Sequence, residues 1–295
     1  MELWVILAVA AAAAQSLRFA LQKSLASGTL SPAAATWARF LWSAPVVVAT
    51  LILYLAVTGQ RLPPATASFL TYATIGGLSQ ILATVCTVAL FRRRAFAVGI
   101  TFKKTEVMLT ALAGLVILGD TISTLGAIAI AAGFVGVLLL SDPPEGGSPV
   151  NTGAALGLAS GAFFALSAVT YRGATLALDG GDVVITAGMT LAVVTVLQTL
   201  ILGIWLALFE PGQIGATLRN WRKSSLVSLF SLIGSFCWFA AFSLKNAAYV
   251  FAVGQVELIF SLIIGRIAFL ETPNRRELLG IAVLTVSILM IALVG

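Results

Sequence analysis

Histidine is absent from the 295-residue chain, and with it the imidazole on which Ser-His-Asp triads and most catalytic zinc centres depend. Charge is scarce: Asp, Glu, Lys and Arg make up 9% of the residues, against about 25% in a soluble globular chain. The two cysteines, Cys86 and Cys237, each sit inside an apolar run and form no CxxC pair, so packing is their ordinary role and neither a disulfide framework nor a metal motif is implied. No GxxxxGK[ST] sequence occurs, which argues against ATP-driven pumping by this chain alone.

What is present is apolar. Hydrophobic residues make up 60% of the sequence and the mean hydropathy is +1.06, the range of an integral membrane protein. A spanning helix needs about 20 apolar residues to cross ~30 Å of hydrocarbon, and runs of that length, broken by short polar stretches, fill the chain. The alternating short strands of a barrel are missing. A pI near 9.7 suggests nucleic acid at first sight. The basic residues, however, stand mainly at the ends of apolar runs, where they anchor helices to lipid head groups. Membrane lipid, not nucleic acid, is the expected surrounding. Met1 to Leu21 lacks a basic leader and a cleavage site and reads as a retained helix.

The pattern predicts an all-α integral membrane protein with ten spans, approximately Leu3–Leu21, Ala33–Val57, Phe69–Phe91, Phe96–Leu118, Ile122–Leu140, Thr152–Tyr171, Val183–Phe209, Leu226–Leu244, Ala247–Leu270 and Leu278–Val294. Between the fifth and sixth, Ser141-Asp-Pro-Pro-Glu-Gly-Gly-Ser-Pro149 has the composition of a linker. Residues 1–141 and 151–295 are therefore read as two five-helix repeats joined by 142–150 into one transport domain. An odd number of spans per half makes the second half enter the membrane from the opposite side, so the repeats are inverted. Inverted repeats are the recurrent architecture of secondary transporters, with a site near the midplane and alternating access around it.

Internal similarity points the same way. Cys86 to Asp120 lies without a gap on Cys237 to Glu271, 151 positions later, with six of 35 positions identical. Glu106 falls on Glu257 and Asp120 on Glu271, and in a chain with only 11 acidic residues that coincidence carries more weight than the identities. The basic residues Lys23, Arg92, Arg93, Arg94, Arg219, Arg222, Lys223, Arg275 and Arg276 lie opposite the termini, with Arg61, Arg172 and Lys245 on the terminal side. The positive-inside rule then places both termini outside.

Intramembrane polar residues are costly, so their helical phase is informative. Gly77, Gln80, Thr84, Thr87, Phe91 and Arg94 share one face of the third span, and Ser228, Ser231, Ser235, Trp238, Phe242 and Lys245 repeat it in the eighth. Gln15, Arg18 and Gln22 of the first span match Phe164, Ser167 and Tyr171 of the sixth. Such faces are either interhelical hydrogen-bonding glue or the wall of a solvated cavity. On the cavity reading, Gln15, Gln80, Thr84, Phe164, Tyr171, Ser235, Trp238 and Phe242 are the candidate substrate-binding residues. Glu106 and Glu257 are the candidate coupling residues. Glu106 has Lys103 within helical pairing distance, and an intramembrane carboxyl without a partner is suited to proton exchange.

At these residues the chain resembles the drug/metabolite transporter superfamily, specifically its ten-helix EamA-type exporters, and looks most like the bacterial aromatic amino-acid exporters. Arg39-Phe40-Leu41 is similar to the arginine-aromatic pair of the family's second helix. Leu118-Gly119-Asp120 and Phe269-Leu270-Glu271 resemble the leucine-glycine-glutamate endings of its fourth and ninth helices. Val107 and Leu258 stand where the family often has proline after glutamate. The resemblance implies a monomeric, multi-pass transporter of the bacterial inner membrane with cytoplasmic termini, opposite to the basic-residue rule. Export of neutral amino acids, with aromatic and other large apolar side chains favoured, is the expected activity, and no metal or cofactor is expected. Other small metabolites or drugs are the alternative cargo. An intramembrane enzyme is a second class, resting on Asp179-Gly-Gly-Asp182 as a Mg²⁺ pair, although a Gly-Gly turn explains those residues equally well.

Overall fold

Helix is the one regular element among the residues described by the computed structural model, which are 2–26, 28, 30–90, 105–140, 152–178, 182–260 and 275–294. The helices are α1 (Leu3–Ala26), α2 (Pro32–Leu41), α3 (Ser43–Thr58), α4 (Ala67–Leu90), α5 (Glu106–Leu118), α6 (Thr124–Leu140), α7 (Thr152–Leu176), α8 (Val183–Phe209), α9 (Gln213–Arg219), α10 (Trp221–Leu244), α11 (Ala247–Gly254) and α12 (Arg275–Val294). Among the described residues, five stretches are long and apolar enough to cross a bilayer: Leu3–Ala26, Pro32–Thr58, Ala67–Leu90, Val183–Phe209 and Trp221–Leu244. The linker 142–150, the basic residues Arg92 to Arg94, Lys103, Lys104 and Arg266, together with Phe91, Asp179, Gly265, Phe269, Leu270 and Glu271, lie outside the described residues.

Burial is inverted relative to a soluble protein. Ser, Thr, Gln and Arg side chains such as Thr84, Gln198, Ser228, Arg18 and Arg39 are buried, while Leu53, Val116, Leu208 and Leu293 are exposed. A lipid-facing surface requires this, because hydrocarbon offers polar groups no hydrogen bonds and they must find each other inside the protein. Buried Ser and Thr hydroxyls largely bond back to carbonyls of their own helix, as in Thr190 to Thr186 O at 2.7 Å.

The α2–α3 break has a local cause. Pro45 lacks an N–H and its ring opposes the carbonyl one turn earlier, and the chain turns at Trp42, one turn before it. Ser31 caps α2 by accepting from Ala34 N at 3.0 Å, and its hydroxyl also donates to Glu210 at the end of α8. Asp182 caps α8 by accepting from Ile185 N at 2.8 Å and from Tyr54 Oη at 2.7 Å. That capping role explains the described member of the acidic pair considered for Mg²⁺.

The main helix pairings are α1 with α10, α4 with α7, α6 with α12, α5 with α7 and α11, and α8 with α2 and α3. At one place the C-terminal ends of α5, α7 and α10 converge. Gly119, at φ 68°, turns the chain out of α5, a left-handed conformation that costs glycine little. Asp120 then meets Arg172, which donates to its two carboxylate oxygens at 2.9 and 3.3 Å. The same guanidinium donates to Phe242 O and Lys245 O at 2.8 and 2.9 Å, satisfying carbonyls that the end of α10 leaves without helical partners. Asp120 is therefore the anchor of a three-helix clamp. The Leu118-Gly119-Asp120 sequence acquires a physical meaning: helix end, left-handed turn, salt bridge.

Candidate functional site

Glu106, which is buried, begins α5, and Glu257, which is half-buried, follows α11. Each accepts an amide. Gln15 Nε2 of α1 donates to Glu257 Oε2 at 3.0 Å, and Gln255 Nε2 donates to Glu106 Oε1 at 3.3 Å. Glu257 is thus bonded by a side chain 242 positions away in sequence. The four side chains surround a cavity of about 10 Å³, walled also by Phe164, Trp238, Phe251 and Gly254. That volume is close to the minimum for a single water, so entry of anything larger requires the helices to part.

The aromatic wall is ordered by ring contacts. Trp238 and Phe242 stack at 5.8 Å between centroids, and Phe251 meets them edge-on at 5.2 and 5.5 Å. Gly254 is required here, because a Cβ at that position would collide with the Trp238 indole. Phe164 packs with Phe19 and Ala83 on the opposite side.

Three buried polar knots lie beyond this cavity. Arg18 is 1% exposed and donates to Gln22 Oε1 at 2.5 Å and to Gln15 Oε1 at 3.3 Å, with its guanidinium 4.0 Å over the Phe19 ring. Through Gln15 it is linked to Glu257. Arg39 donates from Nε to Ser231 at 2.7 Å, from Nη1 to Thr84 at 3.0 Å and from Nη2 to Ser235 at 3.1 Å, joining α2, α4 and α10. In the third knot, Tyr171 Oη donates to Gln80 Oε1 at 3.0 Å, and Gln198 Nε2 reaches Gln80 Oε1 and Gly77 O, each at 3.0 Å.

Residues 151–293 match the EamA-like transporter family. The match covers the second half of the chain and supports the drug/metabolite transporter superfamily, a class of membrane proteins that move small molecules. No curated protein matches the chain. A solved crystal structure, described only as that of a protein, aligns with a TM-score of 0.70 and 12% identity over 98% of this chain and 96% of the other. The two share a fold.

The EamA-like half supplies Phe164, Tyr171, Ser235, Trp238, Phe242 and Glu257, and the first half supplies Gln15, Gln80, Thr84 and Glu106. The fold separates these into two sets. Gln15, Phe164, Trp238, Glu106 and Glu257 line the cavity, with Phe242 stacked behind Trp238. Gln80 and Tyr171 are bonded to Gln198, and Thr84 and Ser235 to Arg39. Gln198, Phe251 and Gln255 were not expected on sequence grounds. Arg39 had entered only as part of a motif, although a span interior containing arginine was signal enough to mark it. Among the described residues no cluster of three or more His, Cys, Asp or Glu has the arrangement of a metal site.

Proposed function

We propose that this EamA-like chain is a secondary transporter that exports neutral amino acids across the bacterial inner membrane, with aromatic and other large apolar side chains favoured. Ten spans in two inverted five-helix repeats alternate access to a midplane site. The helix pairings support the symmetry. The first span packs on the eighth and the third on the sixth, which is one relation seen from either repeat, while the second, fourth and fifth spans pack on the seventh, ninth and tenth.

The observation that carries the proposal is the meeting of repeat-related Glu106 and Glu257, each bonded to a glutamine, inside a wall of Phe164, Trp238 and Phe251. Polar groups for a zwitterion's head and ring surface for an apolar side chain stand side by side. Glu106 and Glu257 are the proposed coupling groups. Gln80, Thr84, Tyr171 and Ser235 support the site by holding Arg39 and the α4–α7–α8 contact in place.

A second reading, export of a small carboxylate metabolite, is favoured by two buried guanidinium groups, Arg18 and Arg39. The experiment that decides is efflux from proteoliposomes loaded separately with labelled phenylalanine, methionine, a dicarboxylate or a sugar phosphate, with and without an imposed proton gradient. Efflux of the first two with retention of the last two supports the proposal. Efflux of the dicarboxylate alone supports the second reading.

A further inference from the structure

We infer that Arg39 and the three hydroxyls around it form a cage for a carboxylate, the acid end of the exported cargo. The inference deepens the transport reading and rests on it. Arg39 is 3% exposed, and the oxygens it meets are the hydroxyls of Ser231, Thr84 and Ser235, all neutral, with the Phe40 ring centred 5.1 Å away. Among the described residues no carboxylate pairs with this guanidinium, and no further polar group engages it. A buried cation without an anion is costly. Arg18 differs in this respect, because Gln15 links it to Glu257.

The hydroxyls identify the ligand. Each accepts from Arg39 and keeps its own hydrogen to give. Their neighbours give theirs to carbonyls: Thr87, one turn along α4 from Thr84, donates to Ala83 O at 2.9 Å, and Ser228, one turn before Ser231 on α10, donates to Ala38 O at 2.7 Å. Thr84, Ser231 and Ser235 are buried as well, yet among the described residues their hydroxyls donate to nothing. Each Nη nitrogen of Arg39 also keeps one N–H beyond the one it commits. Buried donors without acceptors, gathered on a cation, call for a ligand that only accepts and carries negative charge. A planar carboxylate has that chemistry and matches the fork of the guanidinium, whereas an amide or an amine would bring more donors to groups that need acceptors. The position suits an amino acid. Ser235 and Trp238 stand one turn apart on α10, about 5–6 Å between Cβ atoms, and Trp238 walls the cavity between Glu106 and Glu257. A cargo with its acid group on Arg39 and Ser235 thus has ring surface within reach of its side chain. As at the neighbouring cavity, entry requires the helices to part.

The test uses the full-length protein purified in detergent at neutral pH and two acid–amide pairs that share a phenylalkyl skeleton: phenylalanine with phenylalaninamide, and 3-phenylpropionate with 3-phenylpropionamide. Binding is measured by calorimetry, with sodium chloride titrated as a separate arm. In every pair whose acid binds, the acid is expected to bind more tightly than its amide by roughly tenfold or more. Arg39→Gln is expected to lower that ratio by roughly fivefold or more, whereas loss of a residue that merely ties helices together would leave the ratio unchanged. The wild-type pairs decide alone where that variant does not fold. A smaller wild-type ratio, no binding by either acid, or an unchanged ratio in folded Arg39→Gln overturns the cage. Chloride binding with acid and amide matched assigns the donors to an inorganic anion and overturns it too. Parallel efflux assays separate this from the transport reading. Phenylalanine export with matched binding of phenylalanine and its amide removes the cage and keeps the exporter. Acid-selective binding of 3-phenylpropionate without export of any amino acid keeps the cage and removes amino acids as cargo.

Discussion

Replacing Arg172 with Met removes the guanidinium that ties α5, α7 and α10 together while retaining an unbranched apolar stem. Four hydrogen bonds are lost: two to Asp120 and one each to the carbonyls of Phe242 and Lys245. The paired side chains are 15% and 14% exposed. Stranding one partner of a fully buried pair costs about 3–5 kcal/mol, and an exposed pair is worth at most ~1 kcal/mol. Partial exposure places Arg172→Met at about 2–3 kcal/mol. At ~2–4 °C per kcal/mol for a large domain, the unfolding midpoint in detergent should fall by roughly 4–12 °C. Asp120→Asn keeps an acceptor oxygen and should cost about 1–2 kcal/mol. A double-mutant cycle should return a coupling of about 1–2 kcal/mol. A midpoint change under about 1 °C for Arg172→Met, or strictly additive variants, would refute the clamp.

Trp238→Ala removes the ring stacked on Phe242; about 1 kcal/mol of ring contact is lost, so competition assays should show the preference for phenylalanine over alanine falling roughly fivefold to tenfold. Glu257→Gln should abolish the response of transport to pH while folded protein persists in the membrane, and retained pH dependence would move coupling elsewhere. Gly254→Ala drives a methyl into Trp238 and should lower both transport and tryptophan emission intensity changes on substrate addition, with Gly254→Ser worse. At the start of α8, the Tyr54 hydroxyl, helped by the Ile185 and Val184 amides and Gln60, holds the Asp182 carboxyl below its ordinary range against the opposing effect of burial. A depressed folded value means its stabilisation is complete above the ordinary carboxylate pKa of about 3.9 and is lost as pH falls through the lower folded value. Thermal stability of wild type and Asp182→Ala should therefore differ by a constant amount between neutral pH and mildly acid pH, and converge only in strong acid.

Among the described residues, five of the spans and their polar faces were legible because lipid imposes a severe rule. Gln80, Thr84, Ser235 and Trp238 stand out against a chain that is 60% hydrophobic, and helical phase puts them on faces that the bundle buries. Partners were not legible. Gln15 bonds to Glu257 across 242 positions, a relation fixed by how α1 lies on its neighbours and by nothing local in either segment. Gln255 escaped notice for a different reason: its counterpart 151 positions earlier is Lys104, so internal similarity did not mark it. Arg172 looked like a basic residue at a span end, where snorkelling to head groups is ordinary. Its engagement by Asp120 and two carbonyls depends on three helix ends meeting in space. Tyr171 and Gln80 were candidates for substrate contact because buried polar groups on a shared face look alike in sequence, whether they bond to cargo or, as here, to Gln198.

Counterflow in proteoliposomes tests the amino-acid transport claim most directly. Vesicles loaded with unlabelled phenylalanine and diluted into a trace of labelled phenylalanine should accumulate label transiently, with methionine and tryptophan inside supporting the same exchange and a sugar phosphate inside supporting none. Accumulation driven by the sugar phosphate, with none driven by any neutral amino acid, would contradict it.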